Sequence, residues 1–284
     1  MNLVLLLLLG AMWGSSYLFI KVTVADVPPF TLVAGRLTMA AVILWAILLA
    51  TRQPVARSRS AWAAFAVMGL FSGTIPYVLI TWGEQTIDSG LAALLQATMP
   101  IFTVVMAHFV TADERIRPKR ILGIIAGFAG VLVLMLPDLR QGMQANVLGQ
   151  LAVVVSSVSY AGATIFARRR LRGTSPLMAT TGQITTGALF TLPLSLLIER
   201  PFGLSPSTEA LLSWLGLVLI GTVVAYVIYY ALLARTSATF TSTVTYIIPV
   251  NGLILGALVL DEPLTLIILA SAALILAGVL LVSK

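Results

Sequence analysis

Apolar residues along this chain fall into ten long runs that are separated by short polar connections. Each run has about 18–24 residues, enough for a helix to cross a ~30 Å hydrocarbon layer. The pattern predicts ten membrane-spanning helices, numbered spans 1 to 10, at residues 3–22, 30–51, 61–82, 89–111, 119–136, 147–167, 177–198, 209–233, 239–260 and 264–282. Most prolines lie in the predicted connections, and Pro137 is expected to follow the end of span 5.

Two of the predicted helices contain a proline near the middle and are followed by an acidic pair. Span 4 contains Pro100 and precedes Asp113-Glu114, and span 9 contains Pro249 and precedes Asp261-Glu262. A proline removes one backbone hydrogen bond and loosens the turn around it. The alternative is a passive kink that only shapes the helix. Because the feature occurs twice, we predict that Pro100 and Pro249 are hinges of an alternating-access carrier.

Other positions recur at nearly the same offset, which indicates an internal repeat. Gly35 corresponds to Gly182, and Tyr77 corresponds to Tyr226. The predicted repeats are residues 1–142 and residues 143–284, each with five spans. Because five is an odd number, the second repeat would enter the membrane from the opposite side. Inverted repeats of this kind let a carrier alternate between two states by exchanging the conformations of its halves.

The composition supports this membrane assignment. Hydrophobic residues make up 59% of the chain, charged residues make up 10%, and the mean hydropathy is +1.04. Soluble domains carry roughly 25% charged residues, so we predict an all-α polytopic membrane protein. The chain has no cysteine and a single histidine, His108. We therefore expect no metal site, and no sequence motif indicates a cofactor.

Basic residues are distributed unevenly between the two sets of connections. One set, with the C-terminus, holds thirteen of the 17 lysines and arginines; the other holds Lys21, Arg140 and Arg200, and Arg36 lies within span 2. Because basic residues concentrate on the cytoplasmic side, both termini are predicted to be cytoplasmic. The net charge of +7 then reflects topology. The expected partners are a small-molecule substrate and the lipid bilayer, with no nucleic acid; glycine pairs would allow a homodimer, although a monomer suffices.

A known family shares this arrangement. The residues concerned are Trp13-Gly14, Arg36-Leu37, the segment from Pro100 to Glu114, and the segment from Pro249 to Pro263. Over essentially its full length the chain resembles the ten-helix EamA branch of the drug/metabolite transporter superfamily. The resemblance implies a multi-pass carrier of the bacterial inner membrane, often an exporter of amino acids or related metabolites. Two departures stand out: Gln183 occupies the position in the second half that Arg36 occupies in the first, and span 1 lacks the carboxylate of the four-helix multidrug members.

Polar side chains within spans are costly in lipid and are expected to face a cavity or another helix. The predicted substrate-binding residues are Trp13, Ser16, Tyr77, Thr81, Gln96, Tyr160, Tyr226, Tyr230, Tyr246 and Asn251. Each could instead serve interhelical packing. Spans 5 and 10 have almost no such residues and are predicted to be peripheral. A neutral, aromatic cavity suits a neutral or zwitterionic solute, such as an aromatic or hydrophobic amino acid whose ammonium meets aromatic faces.

The charged residues bear on how transport is driven. Arg36 is predicted to form a gating or structural ion pair with Glu84, with Asp88 or the membrane surface as alternatives. All ten acidic residues lie in connections or near span ends, and a proton-coupled carrier usually keeps a titrating group in its pathway. We therefore expect a facilitator or a weakly coupled carrier. A lipid or hydrophobic-drug flippase is the main alternative; an enzyme would need a catalytic constellation and a channel would need a filter, and neither pattern is found.

Overall fold

A computed structural model of the chain describes residues 2–110, 118–236 and 238–283, apart from the side chains of residues 119, 230, 233, 234, 238 and 239. All regular elements in this part of the chain are helical. Ten helices are long and apolar enough to cross a membrane, which confirms the predicted number of spans. Spans 1 to 10 are Asn2–Val24, Pro29–Ala50, Arg59–Gly83, Ser89–Val110, Arg120–Gln141, Gln144–Arg170, Pro176–Glu199, Thr208–Tyr229, Phe240–Val259 and Leu266–Ser283.

One predicted boundary is wrong. Span 5 does not stop before Pro137 but continues through it, in a helix that covers Pro118–Gln141. A proline removes only one backbone donor, so apolar residues on both sides can hold the helix together. The extension is also anchored, because the Asp138 carboxylate accepts hydrogen bonds from Asn146 Nδ2 at 3.3 Å and Gln150 Nε2 at 2.5 Å.

Three spans contain a wider, π-helical turn that the sequence did not predict. Span 3 has one at Gly69–Thr74 and span 8 has one at Leu219–Val224, so they begin 150 residues apart; the third, Ser195–Glu199, ends span 7. In span 3 the following Pro76 has no N–H to donate to the carbonyl oxygen of Phe71. The Ser159 hydroxyl donates to that oxygen instead, at 2.7 Å. A side chain from span 6 thus satisfies a backbone group that the membrane could not.

Spans 5 and 10 lie side by side at the edge of the helix bundle, as predicted. Many of their large apolar side chains are exposed, including Leu122, Leu132 and Leu266. The two helices approach closely at glycines: a Cβ on Gly278 would lie 2.6 Å from the Gly123 carbonyl oxygen. Small residues allow such close contact between membrane helices.

The ten spans give the bundle two ends. The connections after spans 1, 3, 5, 7 and 9 lie together at one end, named here the loop end. Hydrogen bonds join them there: Lys21 reaches the connection after span 3, and Ser207 donates to the Asp26 carboxylate through both its N–H and its hydroxyl. The other end, named the terminal end, carries both termini and the remaining connections.

The close approach of spans 5 and 10 can be tested with Gly278→Ala. The added methyl group should push the helices apart and lower the free energy of unfolding by ~1–3 kcal/mol. Thermal unfolding in detergent measures the change. Gly162→Ala is the matched control, because its Cβ would meet only the flexible end of Met106 at 3.4 Å. Equal stability of the two variants would show that the glycine contact is not a packing constraint.

Candidate functional site

Aromatic side chains from spans 1 and 8 form the first part of the candidate site. The Trp13 ring lies 6.0 Å from Tyr226 and 5.6 Å from Tyr229, centroid to centroid, and the two tyrosines are 6.5 Å apart. Gln183 of span 7 donates from Nε2 to the Tyr226 hydroxyl at 3.3 Å. The structure therefore brings together two predicted residues, Trp13 and Tyr226. It adds Tyr229 and Gln183, which are not among the predicted substrate-binding residues.

A second aromatic group lies between spans 2, 3 and 6. Tyr77 and Tyr160 are 6.4 Å apart, and the Arg36 guanidinium carbon lies 4.1 Å from the centre of the Tyr77 ring. Arg36 Nε also donates to Thr222 Oγ1, in the π-helical turn of span 8, at 3.0 Å. Cation–π contacts are stronger when they are shielded from water, and Arg36 is only 5% exposed.

The two groups occupy corresponding places in the two halves of the chain. Arg36 and Gln183 are 147 residues apart, and their aromatic partners Tyr77 and Tyr226 are 149 residues apart. Each half thus packs a polar side chain from its second span against a tyrosine from its third span. The halves differ in charge, because one carries a guanidinium and the other a neutral amide.

The predicted ion pair is not formed in this structure. The polar contacts of Arg36 go to Tyr77 and Thr222, and neither Glu84 carboxyl oxygen has a hydrogen-bond partner among the described residues. Asp88, the alternative partner, is half-buried at the start of span 4. Arg36 is also not a surface residue, since it lies deep in the bundle.

The predicted hinges lie close to breaks in their helices. Span 4 is split into Ser89–Gln96 and Met99–Val110, so Pro100 lies at the start of the second segment. Because Pro100 has no N–H, the Gln96 carbonyl oxygen loses its helical partner; Ser157 Oγ lies 3.5 Å away and donates to it. The Gln96 side chain accepts a second bond from Ser156 Oγ at 2.6 Å. Gln96 is therefore tied to span 6 at the break.

Pro249 lies in a different place relative to its break. The helix break in span 9 is at Thr243, and Pro249 lies inside the following segment, Val244–Val259. The two prolines are thus near corresponding breaks but in different registers. Whether they act as hinges stays a prediction.

Several other predicted residues bond locally. Ser16 donates to the Met12 carbonyl oxygen and Asn251 to that of Ile247, both within their own helices. The Tyr246 hydroxyl donates to the Val279 carbonyl oxygen in span 10, which fits a packing role. Thr81 is buried in span 3, and the side chain of Tyr230 lies outside the described part of the chain.

Acidic side chains close the loop end by capping the start of helices in the other half. Glu262, after span 9, accepts hydrogen bonds from the backbone N–H groups of Ser89 at 2.7 Å and Gly90 at 2.9 Å. Glu199, at the end of span 7, does the same for Phe30 at 2.9 Å and Thr31 at 2.7 Å. Carboxylates at a helix N-terminus satisfy free donors and complement the helix dipole.

At the same end, Lys21 places a positive charge beside free backbone carbonyl groups. Its ammonium group donates to the carbonyl oxygens of Glu84 at 2.8 Å and Ile87 at 2.7 Å. These are the last free carbonyls of span 3 and its connection, so a cation there complements the C-terminal end of the helix dipole. From the sequence, Lys21 is interpreted only as a marker of membrane topology.

Exposure differs along the predicted cavity wall. Tyr77 and Thr81, near the loop end, are buried. Trp13 and Tyr160, near the middle of their spans, and Tyr226 are partly exposed. A separate apolar crevice of about 430 Å³ lies between spans 2, 7 and 8 and is lined by residues such as Met39 and Trp214. No group of three or more metal-ligating side chains occurs in the ranges that the structure describes.

Comparison with known proteins gives one family. The EamA-like transporter family matches residues 1–136 and again residues 147–284. Among curated proteins, the uncharacterized transporter YoaV of Bacillus subtilis is 27% identical over 267 residues, covering 94% of this chain and 91% of YoaV. The uncharacterized inner membrane transporter YedA of Escherichia coli K12 is 26% identical over 272 residues, covering 95% of this chain and 87% of YedA.

A solved structure has the same fold. It superposes with a TM-score of 0.70 at 20% sequence identity and covers 99% of this chain and 96% of its own. At this identity the likeness supports the fold and carries no information on substrate.

The capping role of Glu262 predicts a measurable effect of Glu262→Ala. Removing the carboxylate leaves the Ser89 and Gly90 donors without their partner and should lower the free energy of unfolding by ~1–3 kcal/mol. Glu209→Ala is the control, because Glu209 lies exposed at the same end. Thermal melts of both purified variants would give the comparison, and equal losses would contradict a specific cap.

Proposed function

This chain belongs to the EamA-like transporter family, a member of the drug/metabolite transporter superfamily, and we propose that it exports small neutral or zwitterionic metabolites. Aromatic or hydrophobic amino acids are the preferred substrates in this proposal. Transport proceeds by alternating access across the inner membrane, with both termini in the cytoplasm and the loop end outside. No enzymatic role is proposed.

The observation that carries this proposal is the pair of aromatic groups around Trp13 and Tyr77. The partly exposed rings of Trp13, Tyr160 and Tyr226 offer faces for an aromatic or aliphatic side chain and for an ammonium group. The polar groups beside them are few: the Gln183 amide, the tyrosine hydroxyls and the Arg36 guanidinium. A zwitterion has one positive and one negative group and is electrically neutral overall, which suits a site with one fixed cation. A polyanion such as a nucleotide would need several positively charged side chains.

The contacts at the loop end support alternating access. Glu262 and Glu199 each reach from the second half to a helix start in the first half. These are a few hydrogen bonds at one end of the bundle, and they can be broken and remade without disturbing the packing between spans. A break within span 4, at Ala97 and Thr98, and one near the start of span 9, at Thr243, provide places where the helices can bend. Together they fit a carrier whose loop end is closed.

The charges favour facilitated or weakly coupled transport. Among the described residues, the acidic ones lie in connections or in the first or last turn of a span. A carrier strictly driven by protons usually has a titrating carboxylate or histidine along the substrate path. Without one, solute runs down its own gradient, and concentrations set the direction.

One observation favours the alternative, a lipid or hydrophobic-drug flippase. The apolar crevice of about 430 Å³ between spans 2, 7 and 8 is open at its side and lined by Ala34, Gly35, Thr38, Met39, Leu192, Leu211, Trp214 and Leu215. An acyl chain would fit there. Measuring lipid scrambling in the same vesicles as amino-acid transport distinguishes the two functions.

The proposed substrate class can be tested by counterflow in proteoliposomes without a pH gradient. Labelled phenylalanine should exchange faster than glutamate, and Trp13→Ala should slow phenylalanine exchange about tenfold, since an aromatic contact contributes ~1 kcal/mol or more. Trp82→Ala is the matched control, because Trp82 is 44% exposed on the outside of span 3. Scrambling without amino-acid exchange would refute the carrier and support the flippase.

The hinge proposal has its own test. Replacing both Pro100 and Pro249 with alanine restores two backbone donors and should stiffen spans 4 and 9. Phenylalanine counterflow should then slow more than thermal stability falls. Pro193→Ala, within the helix of span 7, is the control for losing an intrahelical proline. Unchanged counterflow in the double variant would mean that the prolines only shape the helices.

A further inference from the structure

Glu84 is a carboxylic acid in a place that offers no hydrogen bond to its side chain. The residue is 0% exposed, and both carboxyl oxygens are buried without a partner among the described residues. It lies one residue beyond span 3, at the loop end. An ionised carboxylate is unstable in such a place, whereas a neutral carboxylic acid tolerates it far better.

Two cations lie near Glu84, but both are bonded elsewhere. Lys21 donates to the backbone carbonyl oxygens of Glu84 and Ile87 rather than to the carboxylate. Arg36 stacks on Tyr77 and donates to Thr222. Neither compensates the Glu84 side chain by a direct hydrogen bond.

The charged and titratable groups around Glu84 come from three parts of the chain. They are Tyr17 and Lys21 of span 1, Arg36 of span 2 and Glu262 of the connection after span 9. Burial is the largest influence and raises the pKa of the Glu84 carboxyl well above its ordinary value; Lys21 and Arg36 lower it, and Glu262 raises it. Burial therefore outweighs the nearby cations.

The carboxyl group is closed off from both ends of the bundle. Residues at the same loop end, such as Val27 and Ile87, are at most 2% exposed. Towards the middle of the membrane Tyr17, Arg36 and Tyr77 are each at most 8% exposed. Because Glu84 lies at the loop end, opening of that end is the shortest way for water to reach it.

We propose that Glu84 is a proton-binding site: the carboxylate takes up one proton from the loop-end face when that end closes and returns it to the same face when it opens. The inference rests on the alternating access proposed above. Since the proton enters and leaves on one side, no proton crosses the membrane. Transport would then depend on pH at the loop-end face without being driven by a proton gradient.

The direction of the pH effect follows from linkage. In the open state Glu84 meets water and has an ordinary pKa, so it is ionised at neutral pH. In the closed state it binds a proton. The closed state therefore binds more protons, and lowering the pH at the loop-end face stabilises it.

Infrared spectroscopy of the purified protein tests proton occupancy without any substrate. At about pH 7 an ordinary glutamate is ionised, so a carboxylic-acid carbonyl band would identify a protonated buried acid. The band should be present in the unmodified protein, absent in Glu84→Gln, and retained in Glu209→Gln, whose carboxyl is exposed at the same end. A protein without the band, or a band that persists in Glu84→Gln, overturns the proposal.

Phenylalanine exchange in oriented proteoliposomes tests the consequence. Changing the pH on the loop-end face should change the exchange rate by up to about tenfold per pH unit, the limit for one proton. Glu84→Gln should remove this dependence, and Glu209→Gln should keep it. A wild-type pH dependence in Glu84→Gln overturns the proposal, as does phenylalanine accumulation driven by a pH gradient. If phenylalanine is not exchanged at all, the proposed substrate class is wrong. The infrared experiment still tests whether the Glu84 carboxyl binds a proton.

Discussion

Every backbone polar group inside a membrane must be satisfied by the protein itself, and the structure of this carrier follows from that constraint. Most groups are satisfied by ordinary helical bonds. Where a proline or a helix start removes such a bond, a side chain from a neighbouring element replaces it. Ser159 donates a hydrogen bond to the carbonyl oxygen of Phe71, and Ser157 donates one to that of Gln96. The Glu262 carboxylate accepts hydrogen bonds from the N–H groups that begin span 4. The break in span 4 is therefore also a place where that span is held to span 6 by a side chain.

The sequence predicted the parts of this structure that depend on local pattern. Ten apolar runs gave ten spans, because spanning length and apolar composition are properties of each segment alone. The peripheral place of spans 5 and 10 followed from their lack of polar residues. Trp13, Tyr77, Tyr160 and Tyr226 were singled out as aromatic or polar positions within spans, and the structure places them in two aromatic groups.

Features that depend on contacts between distant segments were not predictable in the same way. Arg36 contacts an aromatic face and a threonine rather than a carboxylate. The positions of the surrounding side chains, and not charge alone, determine which contacts form. The π-helical turns leave no clear mark in the sequence, although Pro76 after Gly69–Thr74 and the repeat of the turn in span 8 are signals that could have been used. Gln183 was noted only as a departure from the repeat, yet its amide binds Tyr226 as Arg36 contacts Tyr77. The segment with Asp113-Glu114 lies outside the described residues.

Alternating access is the central claim, and the cysteine-free chain allows a direct measurement of it. One pair of nitroxide labels at Gln85 and Thr265 would report the width of the loop end, and another at Arg59 and Arg235 would report the terminal end. All four residues are exposed. Electron–electron distance measurements with and without phenylalanine should show the two widths changing in opposite directions. Two widths that stay fixed, or that increase together, would contradict alternating access.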